Sequence, residues 1–307
     1  MNNMKNCEFA LEIANLNKRY CSSGFELKSV SLKHPKGTIM GLIGENGSGK
    51  STTLSSVLGL LRPDSGCIEI FGKDIETNDI EIKEDIGVVL GEDCFPTELT
   101  SRNIETVMRG IYRKWDTTTF KHCLNAFDIQ YDKKIREFSS GMKRKLSLAV
   151  ALSHDPRLLI LDEVTSGLDP VSREAVLDEL MEFMQNPDSS ILITSHITTD
   201  LEKIADYVAF IDEGKILLVE EKDKLLYEYG IVRIELEQAN SISNDEMFAW
   251  VKDGMHISAL IENKKRFETE HPDIIVNKPS LEEVAIIIIK GEKHDGVNSR
   301  TNDKKVF

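Results

Sequence analysis

The stretch Gly44-Glu45-Asn46-Gly47-Ser48-Gly49-Lys50-Ser51 constrains this chain more than any other. It fits the pattern G-x-x-x-x-G-K-[ST], whose spacing is dictated by what it must wrap. Glycines let the backbone curl with its N–H groups pointing inward, so that a row of phosphates can lie in the hollow. The lysine reaches the outer phosphates, and the serine hydroxyl beside it is a ligand for Mg2+. The pattern requires a strand before it and a helix after it. Residues 38–43 form an apolar, partly β-branched run entered through Pro35-Lys36-Gly37, which predicts a buried strand. Residues 50–61 predict a helix stopped at Arg62-Pro63-Asp64. That helix adds the positive end of its dipole to the same hollow.

The rest of the chain continues the alternation. Residues 67–71 and 86–90 read as strands, and 98–153 as mainly helical. Residues 158–161 predict a second buried strand, starting right after Asp155-Pro156. Asp169-Pro170 reads as an N-cap followed by proline at the first helical position. It opens a helix over 171–185, with Val171, Ala175, Leu177, Leu180 and Met184 available for a core face. Residues 190–194 predict a third buried strand, and 207–211 and 215–219 a hairpin turning at Asp212-Glu213-Gly214. Buried strands alternating with helices predict a mainly parallel sheet covered on both faces, with ligands at the carboxyl ends of its strands. The 307 residues leave room for a smaller second domain. Composition shifts after Val219: residues 220–224 read as a linker, 230–290 as a small α+β domain, and 291–307 as a polar, frayed tail.

Leu158-Leu159-Ile160-Leu161-Asp162-Glu163 ends a buried strand in two carboxylates. Asp162 at the strand tip can hold Mg2+ opposite Ser51, and Glu163, pointing elsewhere, can polarise an attacking water. Alone, such a strand end is as often a solvated acidic turn. Ser195-His196 follows the third strand. A lone histidine after a strand is usually structural, but this one would lie at the same sheet edge as Asp162, within reach of a terminal phosphate.

Charge and composition remove other classes. The net charge is −14, against the basic surface that nucleic-acid binders carry. The five cysteines, Cys7, Cys21, Cys67, Cys94 and Cys123, are scattered and form no C-x-x-C, as expected of free thiols in a reducing compartment. The first 16 residues have no apolar core for a signal peptide. Residues 284–289 fall far short of the ~20 apolar residues that span a bilayer, so membrane work would go through a partner.

Together these residues resemble the ATP-binding subunits of ABC transporters, over about residues 11–219. Phe138-Ser139-Ser140-Gly141-Met142 stands where that family has its signature sequence, ahead of a predicted helix over 140–153 with Met142, Leu146, Ala149 and Val150 on one face. The resemblance implies a P-loop NTPase fold of the α/β class: a mainly parallel sheet, an antiparallel β subdomain, a helical subdomain and a C-terminal α+β extension. The implied division is an ATP-binding domain over 1–220, its helical part at about 97–155, an accessory domain over 221–290 and a disordered tail over 291–307. The implied activity is Mg2+-dependent ATP hydrolysis that drives export through a separate permease. The implied catalytic set is Glu163, His196 and Lys50, with Ser51 and Asp162 on Mg2+. Nucleotide contacts would come from Gly44, Glu45, Asn46, Gly47, Ser48, Gly49, Lys50, Ser51 and Thr52, and from Tyr20 stacking on adenine. Ser139, the Gly141 backbone and the dipole of their helix would touch the terminal phosphate held by the other subunit. Ser166-Gly167-Leu168-Asp169 resembles the loop that crosses that interface. The implied partners are therefore a second like subunit, in a homodimer or heterodimer, and a permease, but no nucleic acid. The implied location is cytoplasmic, on the inner face of the membrane.

Some positions depart from the family. Gly91, followed by Glu92 and Asp93, stands where a Gln usually reaches Mg2+, so a neighbouring acid or water must serve, or that contact is missing. Ser140 and Val164 replace a usual glycine and proline, and Met142 a usual Gln. Residues 91–96 are the expected hinge of the permease groove, with Phe95 beside two acids. A soluble ABC-type ATPase acting on ribosomes is the alternative, but such chains carry two fused cassettes and this one has a single phosphate loop. Chromosome ATPases insert a long coiled coil, whereas Lys50 and Ser139 stand under 100 residues apart with no heptad run between them.

Overall fold

A computed structural model describes residues 8–20, 24–91, 94–239, 242–243 and 246–293. The chain begins β1 (Phe9–Arg19), β2 (Glu26–Pro35), β3 (Ile39–Ile43), α1 (Lys50–Val57), β4 (Ser65–Ile70), β5 (Lys73–Asp74), α2 (Asp79–Asp85) and β6 (Ile86–Val89). A helical region follows: α3 (Ser101–Ile111), α4 (Thr117–Ala126), a 3-10 turn (Ile135–Glu137) and α5 (Ser140–Leu152). The chain then returns through β7 (Leu158–Asp162), α6 (Pro170–Phe183), β8 (Ser190–Thr194), α7 (Thr198–Ile204), β9 (Tyr207–Asp212), β10 (Lys215–Glu221) and α8 (Lys222–Tyr227). It ends in β11 (Gly230–Glu235), α9 (Leu236–Ala239), β12 (Ala249–Asp253), β13 (His256–Ile261), α10 (Lys264–Glu270), β14 (Val276–Asn277), α11 (Leu281–Lys290) and β15 (Glu292–Lys293).

The central sheet has the order β10-β9-β3-β8-β7-β6. Strands β9, β3, β8, β7 and β6 are mutually parallel, and β10 closes one edge as the antiparallel arm of the predicted hairpin. Apolar runs with no alternation form its middle: every residue of β3 and β8 is buried, as a strand covered on both faces requires. A second, antiparallel sheet, β2-β1-β4-β5, closes one side. Its inward residues Leu11, Ile13, Leu27 and Val30 meet Met40, Leu42 and Leu54 in one core. On the other side Phe120, Leu124 and Phe127 of the helical region pack with Leu146, Leu161 and Leu180. The α/β class, the parallel sheet with its antiparallel companion, and the helical insertion are as the sequence predicts.

Three expectations need correction. Helix α1 ends at Val57 rather than running to Leu61. Gly59 takes a left-handed φ of 67°, its N–H meets the Ser56 carbonyl, and the Leu60 N–H meets that of Ser55. That is a Schellman stop, in place four residues before the proline that the sequence suggests as the terminator. Val171 belongs to no core face: it is 80% exposed, and the buried stripe of α6 runs through Val176, Leu177 and Leu180 instead. Residues 220–224 are not a linker, since β10 runs directly into α8. The Lys222 N–H bonds the Asp206 carbonyl, and the Lys222 ammonium donates to the Glu202 carbonyl.

The C-terminal segment forms an antiparallel sheet, β14-β11-β13-β12-β15, with its own small core around Val232, Ala259 and Phe267. Helix α11, opened by a Ser280–Glu283 capping box, turns the other way. Its Leu281, Val284, Ile287 and Ile288 join the same core cluster as Leu201, Val208 and Phe210 of the central sheet and α7. Residues 294–307 of the expected tail lie outside the described residues.

Candidate functional site

Strand β3 delivers the chain to the phosphate loop at the carboxyl edge of the sheet, and α1 leads away from it. Gly44 has no room for a side chain: a Cβ there would collide with the Ile211 carbonyl and the Ser48 hydroxyl. Gly47 and Gly49 take φ of 83° and 117°, values that side chains other than glycine rarely adopt. The Lys50 ammonium sits inside the curl, donating to the Gly44 carbonyl at 2.7 Å and the Glu45 carbonyl at 3.1 Å. Burial pulls its pKa below the usual lysine range, while the nearby Glu163 and Asp162 carboxylates oppose that pull. Lys290, at the end of α11, stands 3.6 Å from the Glu45 carboxylate.

Strands β7 and β8 lie in register, so Asp162 pairs directly with Thr194. The Thr194 hydroxyl donates to Asp162 Oδ1 at 2.5 Å, and the Ser51 hydroxyl lies 3.5 Å from Asp162 Oδ2. One residue on, Glu163 takes a left-handed φ of 51°. Its N–H is held by both the carbonyl and the hydroxyl of Thr194, each at 3.1 Å. This turn is what aims Glu163 away from Asp162, a strained conformation of the kind functional sites keep. Glu163 Oε2 faces His196 Nδ1 at 3.2 Å, so the histidine after β8 does meet the second carboxylate.

A cavity of about 590 Å³ opens here. Of the expected residues, Tyr20, Asn46, Gly47, Gly49, Lys50, Ser51, Thr52, Asp162 and Glu163 line it. Gly44, Glu45, Ser48 and His196 are not among its lining residues, although His196 touches Glu163, which is. Ser139 and Gly141 do not line it either: Ser139 caps α5 by accepting the Met142 N–H at 3.2 Å. Gly141 packs so close to Leu168 that a Cβ there would overlap its side chain.

Sequence reasoning missed Phe25, Arg144 and Thr194. Phe25 lines the cavity beside Tyr20, with ring centroids 6.4 Å apart, because the two are paired where β1 ends and β2 begins, the Tyr20 N–H bonding the Phe25 carbonyl. Arg144, on α5, also lines it and donates to the Ser166 carbonyl. Thr194 could have been found only by knowing that β7 and β8 are neighbours. Gly91 lines the cavity too, whereas Glu92 and Asp93 lie outside the described residues. Phe95 is partly buried and packs against the main core. No helix among the described residues is long and apolar enough to cross a membrane.

The family described as "ABC transporter" matches residues 27–166, which hold the phosphate loop, the α5 cap and both carboxylates. ABC transporter ATP-binding protein YtrB of Bacillus subtilis is 33% identical, over 87% of this chain and 94% of that protein. Bacitracin transport ATP-binding protein BcrA of Bacillus licheniformis is 36% identical, over 67% of this chain and 68% of its own. A solved ATP binding subunit of an ABC transporter superposes with a TM-score of 0.64 at 26% identity, covering 70% of this chain and 91% of that one.

Proposed function

The chain belongs to the ABC transporter family as an ATP-binding, ATP-hydrolysing subunit, and from that premise we propose that it drives export through a separate permease at the inner face of a membrane. The observation that carries the reading is the meeting of Lys50, Ser51, Asp162 and Glu163 in one cleft that Tyr20 and Phe25 also line. The transport named for BcrA, of bacitracin, supports the class of work and not the cargo.

In this reading the loop N–H groups and Lys50 hold the β- and γ-phosphates, and Tyr20 stacks on the adenine, with Phe25 beside it. The Ser51 hydroxyl and the Asp162 carboxylate, 3.5 Å apart, are hard oxygen donors that would hold Mg2+. Bound there, the ion would supply positive charge to neutralise that on the transferring phosphoryl group. Thr194 keeps Asp162 turned toward Ser51, by the hydrogen bond it donates. Glu163 accepts the proton of the attacking water, and His196 orients Glu163 while reaching for the γ-phosphate.

Ser139 and Gly141 lie outside the chain's own cleft, which supports their acting on a nucleotide held by a second copy. The N-terminus of α5 would supply its dipole there. Each chain is then half of two sites, and ATP is the bond between them. Light scattering of the Glu163→Gln variant tests this. With Mg2+ and ATP it should shift from monomer to dimer, because the closed form is no longer released by hydrolysis. Monomer alone at saturating ATP would overturn the shared-site reading.

A further inference from the structure

Away from the nucleotide cleft, α4 and α6 bring a second constellation together. Among the described residues, His122, Glu179 and Glu182 are the one group of three metal-ligating side chains whose ligand atoms all lie within 4.8 Å of one another. His122 lies on α4; Glu179 and Glu182 lie on α6, three residues apart and so on one face. His122 Nε2 is 3.2 Å from Glu179 Oε1 and 3.7 Å from Glu182 Oε2. The Glu179 side chain is 11% exposed, those of His122 and Glu182 55% and 69%, so the group has a buried floor and an open mouth.

An ion pair alone leaves this group unbalanced. Two carboxylates face one imidazole, which carries at most a single positive charge, so the trio stays net negative. A divalent cation balances both carboxylates. The spacing agrees: around tetrahedral zinc, with bonds of about 2.0–2.1 Å, ligand atoms stand roughly 3.3 Å apart. The two measured separations bracket that value. A further observation comes from beneath. Cys123, 1% exposed, donates its S–H to Glu179 Oε2 at 3.6 Å. That bond takes the far oxygen of Glu179 and leaves Oε1 turned to His122, as outer-shell hydrogen bonds orient ligating carboxylates.

We propose that His122, Glu179 and Glu182 form a three-ligand site for a divalent transition-metal cation of the zinc type, its remaining position open to water. A cation held there ties α4 of the helical region to α6, the helix that Asp169 caps at the end of the loop following Glu163. Imidazole nitrogen with carboxylate oxygens favours zinc, cobalt or nickel over magnesium, which prefers oxygen alone.

The test is calorimetric titration of the full chain, free of any affinity tag and of nucleotide, with Zn2+ alone. The parent should take up one equivalent. His122→Ala and Glu182→Gln should each bind at least tenfold more weakly, and unchanged circular dichroism would show both variants folded. Co2+ in place of Zn2+ should give visible bands of a four-coordinate site in the parent and lose them in His122→Ala. No uptake by the parent, or parent affinity in either variant, overturns the assignment.

Discussion

At the scale of single residues, the site is a set of close approaches that few side chains can satisfy. Glu163 shows this best: its left-handed backbone is held by one threonine, Thr194, which also holds Asp162. Thr194→Val keeps the volume and removes the hydroxyl. It should lower the rate of Mg2+-dependent ATP hydrolysis about tenfold, with ATP affinity measured without Mg2+ nearly unchanged. Gly44→Ala should do the opposite, abolishing ATP binding, because its Cβ meets the Ile211 backbone and cannot be moved aside. Fluorescence titration with a labelled ATP analogue separates the two outcomes. The loop and the carboxylate pair were legible in the sequence because their spacing is local. Phe25, Arg144 and Thr194 were not, because each joins the site through a neighbouring element: a paired strand, a helix of the insertion, an adjacent strand.

At the scale of elements, periodicity marked strands buried on both faces well and helix ends less well. Helix α1 stops early because Gly59 reverses the chain before Pro63 can, and Val171 is exposed because nothing among the described residues packs opposite that part of the helical face. The junction of β2 and β3 carries a pH-dependent term. His34, fully buried, donates from Nε2 to the Thr38 carbonyl at 3.0 Å, and its Nδ1 has no hydrogen-bond partner among the described residues. Burial lowers its pKa from the ordinary 6.5 to about 4, the hydrogen bond to Thr38 opposing. Between those values the unfolded chain binds a proton that the folded chain refuses. Stability therefore falls as pH drops from 6.5 toward 4, by up to about 3 kcal/mol from this group. His34→Gln keeps a donor for Thr38 and does not titrate, so its urea midpoint should fall less across that window. Some slope will remain, because burial lowers the pKa of His154 as well.

At the scale of the whole molecule, the three sheets depend on one another. Helix α11 completes the core beneath β9 and α7, and its first N–H bonds the Glu202 carboxylate at 2.7 Å. Truncation after residue 221 would expose Leu201, Val208 and Phe210, so the shortened chain should lose its cooperative melt or aggregate, which calorimetry would show. The sequence predicts a small α+β domain here, and the segment has its own sheet and core, while α11 packs on the central sheet as well. That packing was not legible, because an apolar helix face does not say which neighbour it covers. The architecture as a whole holds the phosphate loop, Asp162 and Glu163 at one sheet edge, and the central claim is that this edge hydrolyses ATP with Glu163 as the base. Steady-state hydrolysis measured beside equilibrium ATP binding, for the parent and Glu163→Gln, tests it most directly. Near-equal ATP affinity and a rate at least ~10²-fold lower in the variant are expected. Turnover by Glu163→Gln at the parent rate would contradict it.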